Sequence, residues 1–191
     1  IEREKQLGRD IDGIIRVESG LGASGIPHIG SLGDAVRAYG IKLALENLGY
    51  KSELIAYSDD LDGLRKIPEG LTVDSENIGK RVSSIPDPVE GCKHNSYGEH
   101  MSSLLLDGLD NLGIEYVHKT AHETYKNNLL KDQIHEILVN SKKIGSKIEE
   151  MTGQQKFQSV IPYFPICDTC DKLYTTESFE YIEEEKKIRY R

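Results

Sequence analysis

The stretch ESGLGASGIPHIGSLGD, residues 18–34, carries five glycines, one proline and one histidine, and its neighbours decide the fold. Before it, GIIRVES (13–19) is a short β-branched run that reads as a buried strand. After it, Ile29, Leu32, Val36, Tyr39 and Leu43 step by three and four. That spacing predicts a helix from near Pro27 with these residues on one face, ended by Gly49 as its C-terminal cap. SELIAYS (52–58) is a second strand. Strand, loop, helix and strand over 13–58 have the length of a βαβ crossover, whose strands run parallel and whose hand is right. A glycine loop between strand and helix suggests a phosphate cradle, yet no Gly-Lys-Ser follows and the GxGxxG spacing does not fit.

Outward from this unit the pattern changes. Residues 63–95 hold Pro68, Pro86 and Pro88 without a clean period and read as a long loop or insertion, of the kind that is usually functional or mobile. SYGEHMSSLLLDGLDNLG (96–113) predicts a helix capped by Gly113, and IEYVHK (114–119) a third strand. Residues 125–151 predict one long amphipathic helix with Leu130, Ile134, Ile137, Ile144, Ile148 and Met151 on a stripe. The order β-α-β, insertion, α-β-α gives an α/β fold with a parallel, Rossmann-like sheet. Composition shifts after Gly153. We place a first domain at 1–155 and a second element at 156–191, a Cys-x2-Cys knuckle leading into a β-hairpin that is cut short.

The 191 residues are 37% hydrophobic and 29% charged, enough for a core. No apolar run approaches the roughly 18 residues of a membrane span, and no signal peptide opens the chain. A formal net charge of −8 argues against a module held on DNA by bulk charge, although a local basic surface would still serve a nucleic-acid enzyme. Three cysteines without a secretion signal fit a reducing, cytoplasmic compartment.

Ligands of an open parallel sheet bind at the carboxyl ends of its strands. There, glycines admit backbone N–H groups to a ligand and the following helix start attracts anions. His28 on the first turn offers a directional donor to a phosphate oxygen, and a side chain at Gly30 would collide with a flat ring lying across the helix. Asp59, Asp60 and Asp62 end the second strand and read either as a solvated acidic turn or as carboxylates for a ligand, such as a substrate ammonium or the ribose and metal side of a nucleotide. Glu18, Gly20 and Gly22 at the end of the first strand are the other candidates for the ammonium. Cys167 and Cys170 have zinc-knuckle spacing but make only half a site, because residues 171–191 contain no Cys or His. Cys92, His94 and His100 could start a second metal site, or be a core thiol and two surface histidines. His118, His122 and His135 receive no role.

At HIGS (28–31) the sequence resembles the HIGH motif of class I aminoacyl-tRNA synthetases. The ordered set ESG, SG-x-x-H-x-G, DD-x-D-x-x-R-K-x-P and IPDP-x-x-GC, over residues 17 to about 100, narrows the resemblance to the class I, archaeal-type lysyl-tRNA synthetases. It departs at Ser31, where the motif has histidine, and at Ala23, where proline is usual. The resemblance implies ATP-dependent activation of lysine to lysyl-adenylate, with Mg2+, and transfer to tRNA(Lys). It places Ser24, Gly25, His28, Gly30 and Ser31 against ATP, with His28, Gly30 and Ser31 catalytic, and Glu18, Gly20, Gly22, Asp59 and Asp60 near lysine. It favours Zn2+ at Cys167 and Cys170, with the remaining ligands beyond Arg191. No Lys-Met-Ser-Lys-Ser loop occurs, so the chain reads as an N-terminal fragment, inactive alone. The other readings are a nucleotide- and zinc-binding adaptor without chemistry, and another HIGH-type nucleotidyltransferase or class I synthetase.

Overall fold

A computed structural model describes residues 1–9 and 11–191. A short helix α1 (Glu2–Gln6) precedes a three-stranded parallel sheet, β1 (Ile15–Gly22), β2 (Ser52–Asp59) and β3 (Val117–Thr120), in the order β1-β2-β3. Helix α2 (Ile29–Asn47) joins β1 to β2, and α3 (Tyr97–Asn111) comes between β2 and β3. β1 and β2 pair from Ile15 with Ser52 to Gly22 with Asp59, and β2 meets β3 from Ile55 with Val117 to Ser58 with Thr120. The Rossmann-like α/β architecture is present. β1 runs three residues further than its β-branched run suggested, so Gly20 and Gly22 belong to the strand and the loop shrinks to 23–28.

The face of α2 that meets the sheet is built differently from the expected stripe. Ala35, Ala38 and Lys42 are its buried residues, with Leu32 and Tyr39 partly buried. Ile29, Val36 and Leu43 are exposed instead. Alanines let the helix sit close on β1 and β2, so small residues rather than large ones mark the packed side. The core beneath is Leu21, Leu54 and Ala56 of the sheet with Leu105 and Leu109 of α3 and Ile114. Gly49 and Gly113 follow their helices at φ +85° and +67°, the left-handed geometry expected of helix-ending glycines.

The expected helix over 125–151 is broken. It becomes α4 (Ala121–Lys126), α5 (Lys131–Val139) and α6 (Ser141–Thr152). Asn128 turns left-handed between the first two (φ 55°), and Asn140 separates the second pair. Asparagine tolerates that region because its short side chain bonds locally. Of the expected stripe, Leu130, Ile137 and Met151 are exposed and Ile134, Ile144 and Ile148 half-buried, while the buried leucine, Leu138, lies outside it. Gly145 is buried where α6 meets α7 (Lys156–Ser159): a Cβ there would collide with the Phe157 carbonyl oxygen.

Residues 63–95 contain no helix beyond two 3-10 turns, Ser75–Asn77 and Val82–Ser84, and no long strand. They are nevertheless closed and packed. Leu64 N–H donates to the Lys80 carbonyl at 2.9 Å, Gly79 N–H to Leu64 at 2.7 Å, and Val82 N–H to Asp62 at 2.9 Å. Their apolar residues Leu64, Val82 and Ile85 form a second core with Ala23, Tyr97 and Met101. The knuckle docks on this insertion through Leu173 N–H to Gly79 O (2.7 Å) and an Arg81–Asp171 ion pair (3.0 Å). The antiparallel hairpin β4 (Ser178–Ile182) and β5 (Lys187–Tyr190) follows.

Candidate functional site

The site lies at the carboxyl ends of β1 and β2. Strand alternation sorts its residues: Ser19 and Leu21 face the core, while Glu18, Gly20 and Gly22 share the open face. Glu18 and Gly20 line a cleft of about 520 Å3 together with Tyr57, Asp59, Tyr125 and Tyr163. Asp59 lies beside Gly22 in the β1–β2 register. Its carboxyl is held above the ordinary value, first by the surrounding protein and then by the charges of Asp62 and Asp60, with Arg65 opposing. The outer part of the side chain still reaches solvent. Carboxylates among aromatic rings form a setting for an ammonium group.

Asp60 goes elsewhere. One residue past the end of β2, it is buried and accepts the His122 N–H at 2.7 Å. Burial raises its carboxyl, and that hydrogen bond opposes the rise. Ser58 likewise turns away and meets His118 Nε2 at 2.8 Å. Asp60, Ser58, His118 and His122 line a separate polar pocket of about 450 Å3. The two neighbouring aspartates therefore do not converge on one amine.

His28 is the N-cap of α2, not a first-turn residue. Its backbone is extended (φ −139°, ψ 177°) and its Nδ1 accepts the Gly30 N–H at 3.0 Å. A ring whose Nδ1 accepts carries its proton on Nε2 when neutral, so the exposed nitrogen is a donor. Gly30 is needed by this ring itself: a Cβ there would sit 2.8 Å from His28 Cε1 and 3.0 Å from Nδ1. The first turn of α2, which includes the half-buried Ser31, has no acidic residue, leaving the positive helix end free for an anion. Ser24 and Gly25 are half-buried in the loop before it.

A four-donor cluster stands in the insertion. Asp87, Cys92, His94 and His100 bring one ligand atom each to within 4.8 Å of one another. Cys92 Sγ lies 3.0 Å from His94 Nδ1 and 3.4 Å from His100 Nδ1. Asp87 Oδ2 is 3.3 Å and 3.1 Å from the same two nitrogens. Zinc bound at about 2.0–2.1 Å by nitrogen and oxygen and about 2.3 Å by sulfur needs tetrahedral corners about 3.3–3.6 Å apart; most of these spacings lie near that range, and the Cys92–His94 one is shorter. The sequence reading named Cys92, His94 and His100 and missed Asp87. The signal was the IPDP turn five residues before the cysteine.

Cys167 and Cys170 gather no such set. Cys170 is exposed, with Thr175 Oγ1 3.8 Å away. The turn does suit a thiolate at Cys167: backbone N–H groups of Cys170 and Thr169 lower that thiol below its ordinary value. Among the described residues only the Asp87 cluster assembles three or more possible ligands. No helix is long and apolar enough to cross a membrane.

The family profile described as tRNA synthetases class I (K) matches residues 1–191. A protein of Cenarchaeum symbiosum (strain A) named lysine–tRNA ligase is 62% identical over 192 residues, covering 100% of this chain and 36% of that protein. Proteins of the same name from Rickettsia bellii (strain OSU 85-389) and Archaeoglobus fulgidus are 33% and 32% identical, over 84% and 88% of the chain and 31% and 34% of their own lengths. The chain spans about a third of the curated relatives it matches. Match and geometry agree, and the chain belongs to the class I tRNA synthetases (K).

Proposed function

We propose that this chain is the ATP- and lysine-binding part of a longer lysine–tRNA ligase that forms lysyl-adenylate and passes the lysyl group to tRNA(Lys). The observation that carries the reading is the sharing of β1 by two sites. Its open face, with Glu18 and Gly20, lines the acidic and aromatic cleft, and its end leads into the loop capped by His28. Lysine in the cleft would lie next to a nucleotide on the loop.

In that arrangement the lysine carboxylate attacks the α-phosphorus of ATP, an acyl-phosphate bond forms and pyrophosphate leaves. Ser24, Gly25 and the α2 helix start hold phosphate oxygens, and His28 Nε2–H donates to an oxygen as charge builds in the transition state. Gly30 keeps that ring in place and Ser31 extends the polar rim. Asp59 and Glu18 meet the lysine ammonium groups, Gly20 and Gly22 give its main chain room, and Asp60 supports the site by holding α4. Magnesium would arrive on the ATP phosphates and neutralise part of their charge.

For structural zinc we propose Asp87, Cys92, His94 and His100, a thiolate, imidazole and carboxylate set suited to it. Cys167 and Cys170 would supply half of a second site. A reducing, cytoplasmic setting suits both.

Amino-acid-dependent ATP–pyrophosphate exchange by the longer protein tests the function. Exchange with lysine, and not with arginine or glutamate, is expected. Exchange driven by another amino acid, or none at all, overturns it.

A further inference from the structure

Tyr97 opens α3 and is fully buried in the second core, 0% exposed. Its hydroxyl donates to the backbone carbonyl of Ser24, 73 residues earlier, at 3.2 Å. Both ends of the contact are fixed. Tyr97 N–H is held by the Ile85 carbonyl at 2.8 Å, and Ser96 caps α3 by accepting the Glu99 N–H. On the loop side, Ala23 is 0% exposed and packs in the same core as Tyr97.

The Ser24 carbonyl and the Gly25 N–H belong to one planar trans peptide, so they point in opposite directions. Drawing the carbonyl inward to Tyr97 turns the Gly25 N–H outward. Among the described residues no acceptor takes that N–H. It stands three residues before the His28 cap, beside a helix end without acidic side chains.

We propose that Tyr97 is a positioning residue for ATP: its hydroxyl fixes the Ser24–Gly25 peptide so that the Gly25 N–H is aimed at a phosphate oxygen. The proposal rests on the nucleotide reading of the loop given above. Tyr97 touches no reacting atom. It acts through one peptide plane, and its effect falls on the nucleotide rather than on lysine, whose cleft lies on the open face of β1.

The test is Tyr97→Phe in the longer protein, which keeps the ring in the core and removes only the donor. With one buried hydrogen bond lost, KM for ATP rises about five- to tenfold while kcat in exchange holds. KM for lysine stays within about twofold. An unchanged KM for ATP, or equal rises in both KM values, overturns the proposal. Direct titration of wild type and variant with ATP, without amino acid, keeps this result separate from the lysine assignment: failure of lysine-dependent exchange in the wild type sinks only the latter. Should the variant not fold, amide exchange at Gly25 in the wild type decides. Protection on adding ATP supports the role, and an unchanged rate overturns it.

Discussion

The loop 23–28 and the insertion 63–95 are opposites in sequence and partners in space. The loop is short and lies between a glycine-bearing strand end and a helix, so its candidate residues could be picked out by position. The insertion is proline-punctuated and without period. Yet Leu64, Val82 and Ile85 bury Ala23 of the loop, and Tyr97 beside the insertion reaches Ser24. The difference teaches that the loop between strand and helix is supported by a segment with no regular helix or strand beyond two 3-10 turns.

Four predictions probe that division between chemistry and support. His28→Ala should lower lysine-dependent exchange in the longer protein about 10²- to 10³-fold, the cost of one transition-state donor, with little change in Tm. Equal losses of rate and stability would mean the histidine is mainly a cap. Cys92→Ser should do the reverse. Bound zinc falls by one equivalent and Tm drops by about 5–10 °C, while turnover at saturating ATP survives. Metal analysis with a melting curve reads both.

Gly30→Ala sharpens the loop side. The new methyl group meets the His28 ring at 2.8 Å, so the cap bond breaks. Exchange should fall about 10- to 100-fold from misplacement of one donor. A Gly30→Ala rate equal to wild type would show that the ring can leave its cap without cost.

The smallest effect belongs to Asp59. Its carboxyl is raised in the fold, so the folded chain holds that proton more tightly than the unfolded one. The contribution favours folding at low pH and is lost as pH rises from the ordinary carboxylate value through the raised one. Asp59→Asn should therefore raise Tm at neutral pH by about 1–2 °C, with no gain at low pH, while KM for lysine increases. Melting curves across pH, set beside exchange kinetics, check it.

How much of this was legible follows the range of the interactions. The βαβ unit was readable because its signals are local: a β-branched run, helical spacing and the left-handed Gly49. The faces of α2 were misjudged because the sheet selects small residues, and Ala35 and Ala38 carry little hydrophobic signal. The breaks after α4 and α5 lie at asparagines, which an apolar period overlooks. Among the candidate residues, Glu18 and Asp59 lie near the carboxyl ends of their strands and His28 at the start of α2, positions set by local pattern. Asp60 was paired with Asp59 because strand alternation was not applied past the strand end. Asp87 and Tyr97 were missed because their partners are distant in sequence or hidden in a turn, and no period connects them.

Amide hydrogen exchange of residues 23–28 in the longer protein, with metal bound and after chelation, tests most directly whether the insertion frames the loop proposed to hold ATP. The account predicts that chelation speeds exchange at 85–100 and, with it, at 23–28, while β1 and the body of α2 hold. Loosening of 85–100 with unchanged rates at 23–28 would contradict it.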